Sequence, residues 1–128
     1  MGDYTPVGKF SSYTRTAGAA ITGGQLVTAS GDNAVSPSTT GDSPIGVALH
    51  DAPSGGRVTI ATLPGTIHEV TIQGTVAITA GAAIVAGTTG TINTATLATA
   101  AAAGTLVGIC VRGGTGGSGA GNAQFMGT

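Results

Sequence analysis

Charge and aromatic side chains are both scarce in this chain. Charged residues make up 7% of the 128 positions, against about 25% in an ordinary soluble domain. Aromatics make up 3%, and tryptophan is absent. The four basic residues, Lys9, Arg15, Arg57 and Arg112, form no cluster able to neutralise a run of phosphates, which excludes nucleic acid as a ligand. Disordered chains couple low hydropathy to high charge; here charge is low and mean hydropathy positive, so the chain folds. A single cysteine, Cys110, rules out an intrachain disulfide. It lies in the apolar run LVGICV, where a thiol reads as a small buried hydrophobe. No apolar run approaches the ~18 to 20 residues of a membrane-spanning helix, and no charged-then-apolar leader opens the sequence. MGDYTP begins like a myristoylation signal but has Pro6 where Ser or Thr is required. The expectation is a soluble protein made inside a cell.

What is present is Val, Ile, Leu, Ala, Thr and 24 glycines. The length suits one domain. Small apolar side chains bury little area each, so such a core is stable only if cohesion is shared, either between parts of the chain or between subunits.

Residues 1–19 carry three of the four aromatics, Tyr4, Phe10 and Tyr13, with Lys9 and Arg15 among them. Aromatics outside any core pattern read as an arm that docks on a partner; its candidate contacts are Tyr4, Pro6, Val7, Lys9, Phe10, Tyr13 and Arg15. From residue 25 onward, short Val-, Ile- and Thr-rich runs punctuated by Gly, Asn, Asp and Pro predict strands. They fall near 25–30, 33–36, 45–50, 56–63, 66–73, 75–78, 83–86, 90–93, 105–112 and 122–126. Gly31-Asp32-Asn33 and Pro64-Gly65 read as tight turns. ATLATAAAA, residues 95–103, is a short helix or an irregular loop. GGTGGSGAG, residues 113–121, reads as a flexible loop before a last strand. The division is therefore an arm at 1–19, a β domain at 20–112, and a Gly-rich loop and terminal strand at 113–128.

AITGGQLVTASGDNAV at 20–35 returns as AITAGAAIVAGTTGTI at 77–92, apolar to apolar and turn to turn, at a spacing of 57 residues (20 to 77). Each copy (20–36 and 77–93) is followed by a variable stretch and a similar strand, PIGVAL and TLVGICV, carrying a glycine where another backbone passes close. Coincidence in a Gly/Ala/Thr-rich sequence is the alternative. Two such units predict a pseudo-symmetric all-β barrel or sandwich.

Chemistry-bearing groups are sparse. His50-Asp51 and His68-Glu69 pair imidazole with carboxylate, but neighbours on a strand point to opposite faces, so neither makes a dyad in extended chain. Two histidines and one cysteine without ligand spacing support no metal site. GTGGSG at 114–119 matches GxGxxG, yet no helix, distal acidic residue or P-loop lysine follows, so no nucleotide or other cofactor is expected. His50, Asp51 and Ser118 in chain order faintly resemble a β-barrel serine hydrolase; a carbohydrate- or surface-binding β module is a second alternative.

The succession GQLVTASGDNAVSPSTTGDSPIGVALHDAPSGGRVTIATLPG, then VAITAGAAIVAGTTGTI and GTLVGICVRG, resembles the capsid cement, or head-decoration, proteins of tailed phages, from about Gly23 to Arg112. The most telling pieces are IGVA followed by APSGGRV, and ITAG. The resemblance implies a small β-tulip or barrel that forms a homotrimer, sits on the outer surface of an expanded head and clamps neighbouring major capsid subunits, a virion protein made in the host cytoplasm without catalytic, metal or cofactor residues.

Overall fold

The computed structural model describes residues 3–117 and 121–128. Strand pairing sorts the described strands into a closed five-stranded barrel, a five-stranded sheet and one two-stranded pair. The first comprises β1 (Ser12–Ala17), β2 (Leu26–Gly31), β3 (Ala34–Pro37), β4 (Gly46–Ala48) and β5 (Arg57–Thr62). They close into a barrel of order β1-β3-β2-β4-β5, sealed by parallel pairing of β1 with β3 and antiparallel pairing of β1 with β5. The second comprises β6 (Ile67–Thr71), β8 (Ala83–Ala86), β9 (Ile92–Ala95), β10 (Gly108–Arg112) and β12 (Asn122–Gly127), in the order β6-β12-β10-β8-β9. β7 (Ala77–Ile78) and β11 (Gly114–Thr115) form a small separate pair.

The two orders are the same once β1 is matched to β6, β5 to β12, β4 to β10, β2 to β8 and β3 to β9. The register agrees residue by residue: Val27 opposes Gly46 as Ile84 opposes Gly108, and Tyr13 opposes Ile60 as His68 opposes Phe125. Loop hydrogen bonds repeat as well. Gly24 N–H donates to the Ala48 carbonyl and Gly81 N–H to that of Cys110, both at 2.8 Å. Ile45 donates to Val27 at 2.9 Å and Val107 to Ile84 at 2.8 Å. The duplication seen in the sequence thus extends to whole sheets.

Inward positions correspond too, since alternate strand residues face one side. Val27, Val35, Ala48, Ile60 and Ala17 line the first interior, and Ile84, Ile92, Cys110, Phe125 and Ile72 the second. Cys110 stands where the first unit has Ala48 and is buried, a small core residue whose thiol burial pushes to a higher pKa. The outward row of the first unit, Leu26 and Val47, is itself fully buried and joins the second unit's core together with Leu63. The first unit therefore keeps a core of its own and also supplies part of the second unit's.

Several expectations shift. Ser12–Ala17, placed in the arm, is a barrel strand: Tyr13 packs on the first core, and the Arg15 guanidinium lies 4.6 Å from the centre of the Tyr13 ring. The strand expected at 105–112 begins at Gly108 and the one at 90–93 begins at Ile92. Residues 88–90 instead form a 3-10 turn containing Thr89 at φ 50°. The helix is present as α1 (Leu97–Ala103), ended by Gly104 in the left-handed region and resting on β8 through buried Ala100. Within the Gly-rich segment, Gly114–Thr115 pairs with Ala77–Ile78, because glycines there let two backbones meet where a Cβ on Gly113 would strike the Ile78 carbonyl. That part is sheet, not flexible loop.

The returning-strand glycines are fixed by the same constraint. A Cβ on Gly46 would overlap the Ala61 carbonyl oxygen, and one on Gly108 that of Met126. Gly46→Ala and Gly108→Ala are each expected to destabilise the protein by ~1–3 kcal/mol, as overpacked cores do. Urea unfolding checks this, with Gly31→Ala as a comparison, where an added Cβ would meet only the Ala34 Cβ at 3.8 Å.

Candidate functional site

The N-terminal segment crosses the join between the two units. Tyr4 N–H donates to the Leu49 carbonyl at 2.6 Å on the first unit, and Val7 N–H to the Ile67 carbonyl at 2.9 Å on the second. Tyr4 is its anchor. His68 Nε2 lies 2.9 Å from the Thr62 carbonyl, which only accepts, so Nε2 carries the proton and Nδ1 is an acceptor. The Tyr4 hydroxyl therefore donates to Nδ1 at 3.0 Å and accepts from the Glu69 N–H at 3.0 Å. His68 is fully buried, with the Tyr4 ring stacked on one side at 6.0 Å and Phe125 tilted on the other at 5.8 Å. Burial pushes Tyr4 up to about 12, the nearby Glu69 carboxylate adding to it while the Glu69 N–H opposes; burial pushes His68 down. His68 is thus a satisfied structural imidazole.

The remaining expected contact residues divide by exposure. Pro6 is buried, Val7, Lys9 and Phe10 are exposed, and Tyr13 and Arg15 are half-buried on β1. The arm accordingly has anchors, Tyr4 and Pro6, and a presented surface, Val7 to Phe10. Phe10 also lines a shallow hollow with Asp3, Leu49, His50 and Thr59.

His50 is committed to backbone. Its Nε2 accepts from Thr59 N–H at 3.1 Å, leaving Nδ1–H to donate to the Asp51 main-chain carbonyl at 2.9 Å. The Asp51 carboxylate instead accepts from Gly23 N–H at 2.8 Å. The imidazole and carboxylate do not meet, and Ser118 lies outside the described residues. Among the described residues no three His, Cys, Asp or Glu side chains converge as metal ligands.

A cleft of about 410 Å³ opens where the arm, the 22–25 turn, β6 and the 89–91 segment meet. Thr5, Thr22, Thr71, Thr89 and Thr91 supply much of its wall, with Gln25, Glu69 and Asn122. The Glu69 carboxylate is engaged by Arg112 at 2.7 Å and Gln124 at 3.0 Å. Sequence reasoning missed this cleft, because its residues come from five separate stretches with no local motif.

A family model for phage cement proteins matches residues 5–124. The chain belongs to the phage cement protein family. Its fold is also that of the crystal structure of the head fiber gp8.5 N base of bacteriophage phi29, with a TM-score of 0.70 at 19% identity, covering 94% of this chain and 95% of that one. No curated protein matches. Family membership makes this cement protein a non-catalytic structural component of a phage head, and the serine-hydrolase alternative falls with it.

The Tyr4–His68 anchor gives a pH signature. With its folded pKa lowered, His68 stays neutral in the native state while the unfolded chain binds a proton below ~6.5, so stability is complete above that pH and declines on acidification by up to about 1.4 kcal/mol per unit. Thermal melting from pH 7.5 to 5 is expected to show this fall, and His68→Phe is expected to flatten it.

Proposed function

We propose that the protein decorates the outer surface of the mature phage head as a homotrimer, each trimer bridging neighbouring major capsid subunits and stabilising the expanded shell. The family match across residues 5–124 carries the reading. Binding that favours the expanded, intact shell raises the free energy of rupture by mass action, about 2.7 kcal/mol per site at a hundred times Kd, with no covalent step.

Two surface features support the finer parts. On the outer face of the second unit, Val7, Ile67, Met126 and Ile109 oppose one another across successive strands. Met126 is 44% and Val7 43% exposed. The matching row of the first unit, Ser12, Ala61, Val47 and Leu26, has its apolar members fully buried, Leu26 and Val47 in the second unit's core. By the same matching Leu26 answers to buried Ala83, Val47 to half-buried Ile109 and Ala61 to exposed Met126, so the row is covered in one repeat and partly open in the other, which suits a subunit contact. The arm supports capsid contact: Tyr4 and Pro6 hold it down while Val7, Lys9 and Phe10 face outward, a short presented segment able to order on a partner.

Light scattering is expected to give the mass of a trimer, and addition to undecorated expanded heads to raise their rupture temperature. A monomer that leaves rupture unchanged overturns the reading. Lys9→Ser with Phe10→Ser is expected to weaken head binding by about tenfold or more, the loss of an exposed aromatic that binding would bury, while melting temperature holds.

A further inference from the structure

The two units close differently, and the difference lies in the cleft. In the first, Thr16 N–H donates to the Asn33 carbonyl at 2.8 Å and Gly18 N–H to that of Val35 at 2.7 Å, sealing β1 against β3. The matched donors of the second unit are Thr71 and Gln73; the matched acceptors are Gly90 and Ile92. Gln73 N–H does bond the Ile92 carbonyl at 2.9 Å. The Thr71 to Gly90 bond is missing: among the described residues β6 meets this segment at the single parallel bridge of Ile72 with Ile92, where the first unit pairs both Thr16 with Ala34 and Ala17 with Val35, and Gly90 N–H turns to Ser38 at 2.8 Å. Thr71 and Gly90 line opposite parts of the one cleft.

The exposed border of β6 is therefore an unfinished ladder. Val70 and Ile72 turn their main-chain groups to β12, as the Ile72 N–H to Gly121 bond at 2.9 Å fixes. Alternation sends those of Ile67, Glu69 and Thr71 the other way. Val7 takes the Ile67 carbonyl and the Tyr4 hydroxyl takes Glu69 N–H. An antiparallel continuation from Val7 would set residue 3 opposite Thr71, but the Tyr4 bond to Leu49 lifts the arm away. Thr71 N–H and the Glu69 carbonyl are left facing the cleft, the Thr71 carbonyl being taken by Ile92 N–H in the parallel bridge of Ile72 with Ile92.

We infer that this cleft takes an extended peptide segment of a capsid subunit, which adds to β6 beside Thr71 as a strand. The inference rests on the decoration reading. The edge already accepts one antiparallel residue from the arm, which shows its geometry suits strand addition, and main-chain bonding of this kind supplies affinity. Threonine and glycine walls fit small uncharged side chains, and the one charged wall group, Glu69, is already paired with Arg112. The arm of a second copy is the competing occupant.

The test uses undecorated expanded heads and the full-length protein. Hydrogen exchange at the Thr71 amide is expected to be fast in the free trimer and about tenfold or more slower on heads, the effect of one added strand bond. Thr71→Pro removes an N–H that β12 does not use, which edge strands tolerate, and Thr5→Trp fills the cleft from an exposed position. Both are expected to weaken head binding about tenfold with melting temperature held; should Thr71→Pro fail to fold, Thr5→Trp and the exchange measurement decide. Protection of Thr71 already present in the free trimer overturns the inference in favour of a second copy. Heads that take up wild type and Thr5→Trp alike, with Thr71 unprotected, overturn it while leaving decoration standing. Heads that ignore the wild-type protein overturn decoration and this inference with it.

Discussion

Leu26 and Val47 are strand residues of the first unit, yet they are packed into the interior of the second. With 3% aromatics and no tryptophan, neither five-stranded unit has side chains bulky enough to bury much area alone, and small cores are marginal. Inserting Leu26 and Val47 of the first sheet into the neighbouring interior thickens the second core while the first keeps its own. The same shortage of bulk draws backbones together, so the returning strands carry glycine at positions 46 and 108, where any side chain would meet a carbonyl.

Shared burial also makes the two units unequal. The first is enclosed on its outer row and sealed at its seam; the second has the corresponding row partly open and its seam incomplete at Thr71. A duplicated fold whose copies had stayed equal would present two identical faces. Here one copy is committed to cohesion, and the other keeps an open edge and a partly exposed apolar row.

The strand-rich fold, the short helix and the echo between residues 20–36 and 77–93 were legible in the sequence, because alternating apolar residues and turn glycines are local signals. β1 was not. Its inward side chains are Tyr13, Arg15 and Ala17, which break the apolar alternation that marks a strand. The kinship of β5 and β12 was hidden because their volumes are redistributed: Val58 and Ile60 in one become Ala123 and Phe125 in the other, preserving the filling while erasing the likeness. Tyr4 was expected as a contact of the arm with a partner; the neighbour it meets within the chain, His68, lies 64 positions away, a distance no spacing rule spans. The cleft was beyond reach for a further reason, since what defines it is a backbone bond that one repeat makes and the other lacks.

The tandem layout of the units has a consequence for synthesis. Every strand of the first barrel lies before residue 63 and every strand of the second sheet after residue 66, so ladder formation within each unit requires closing loops no longer than half the chain, which favours fast pairing for an all-β protein. As the chain leaves the ribosome, the first barrel has all its strands before the second begins, but it emerges with Leu26 and Val47 bare. Until the second sheet arrives to cover them, the nascent protein carries an exposed apolar face, and the interval between the two is where a chaperone or a neighbouring nascent copy has most access.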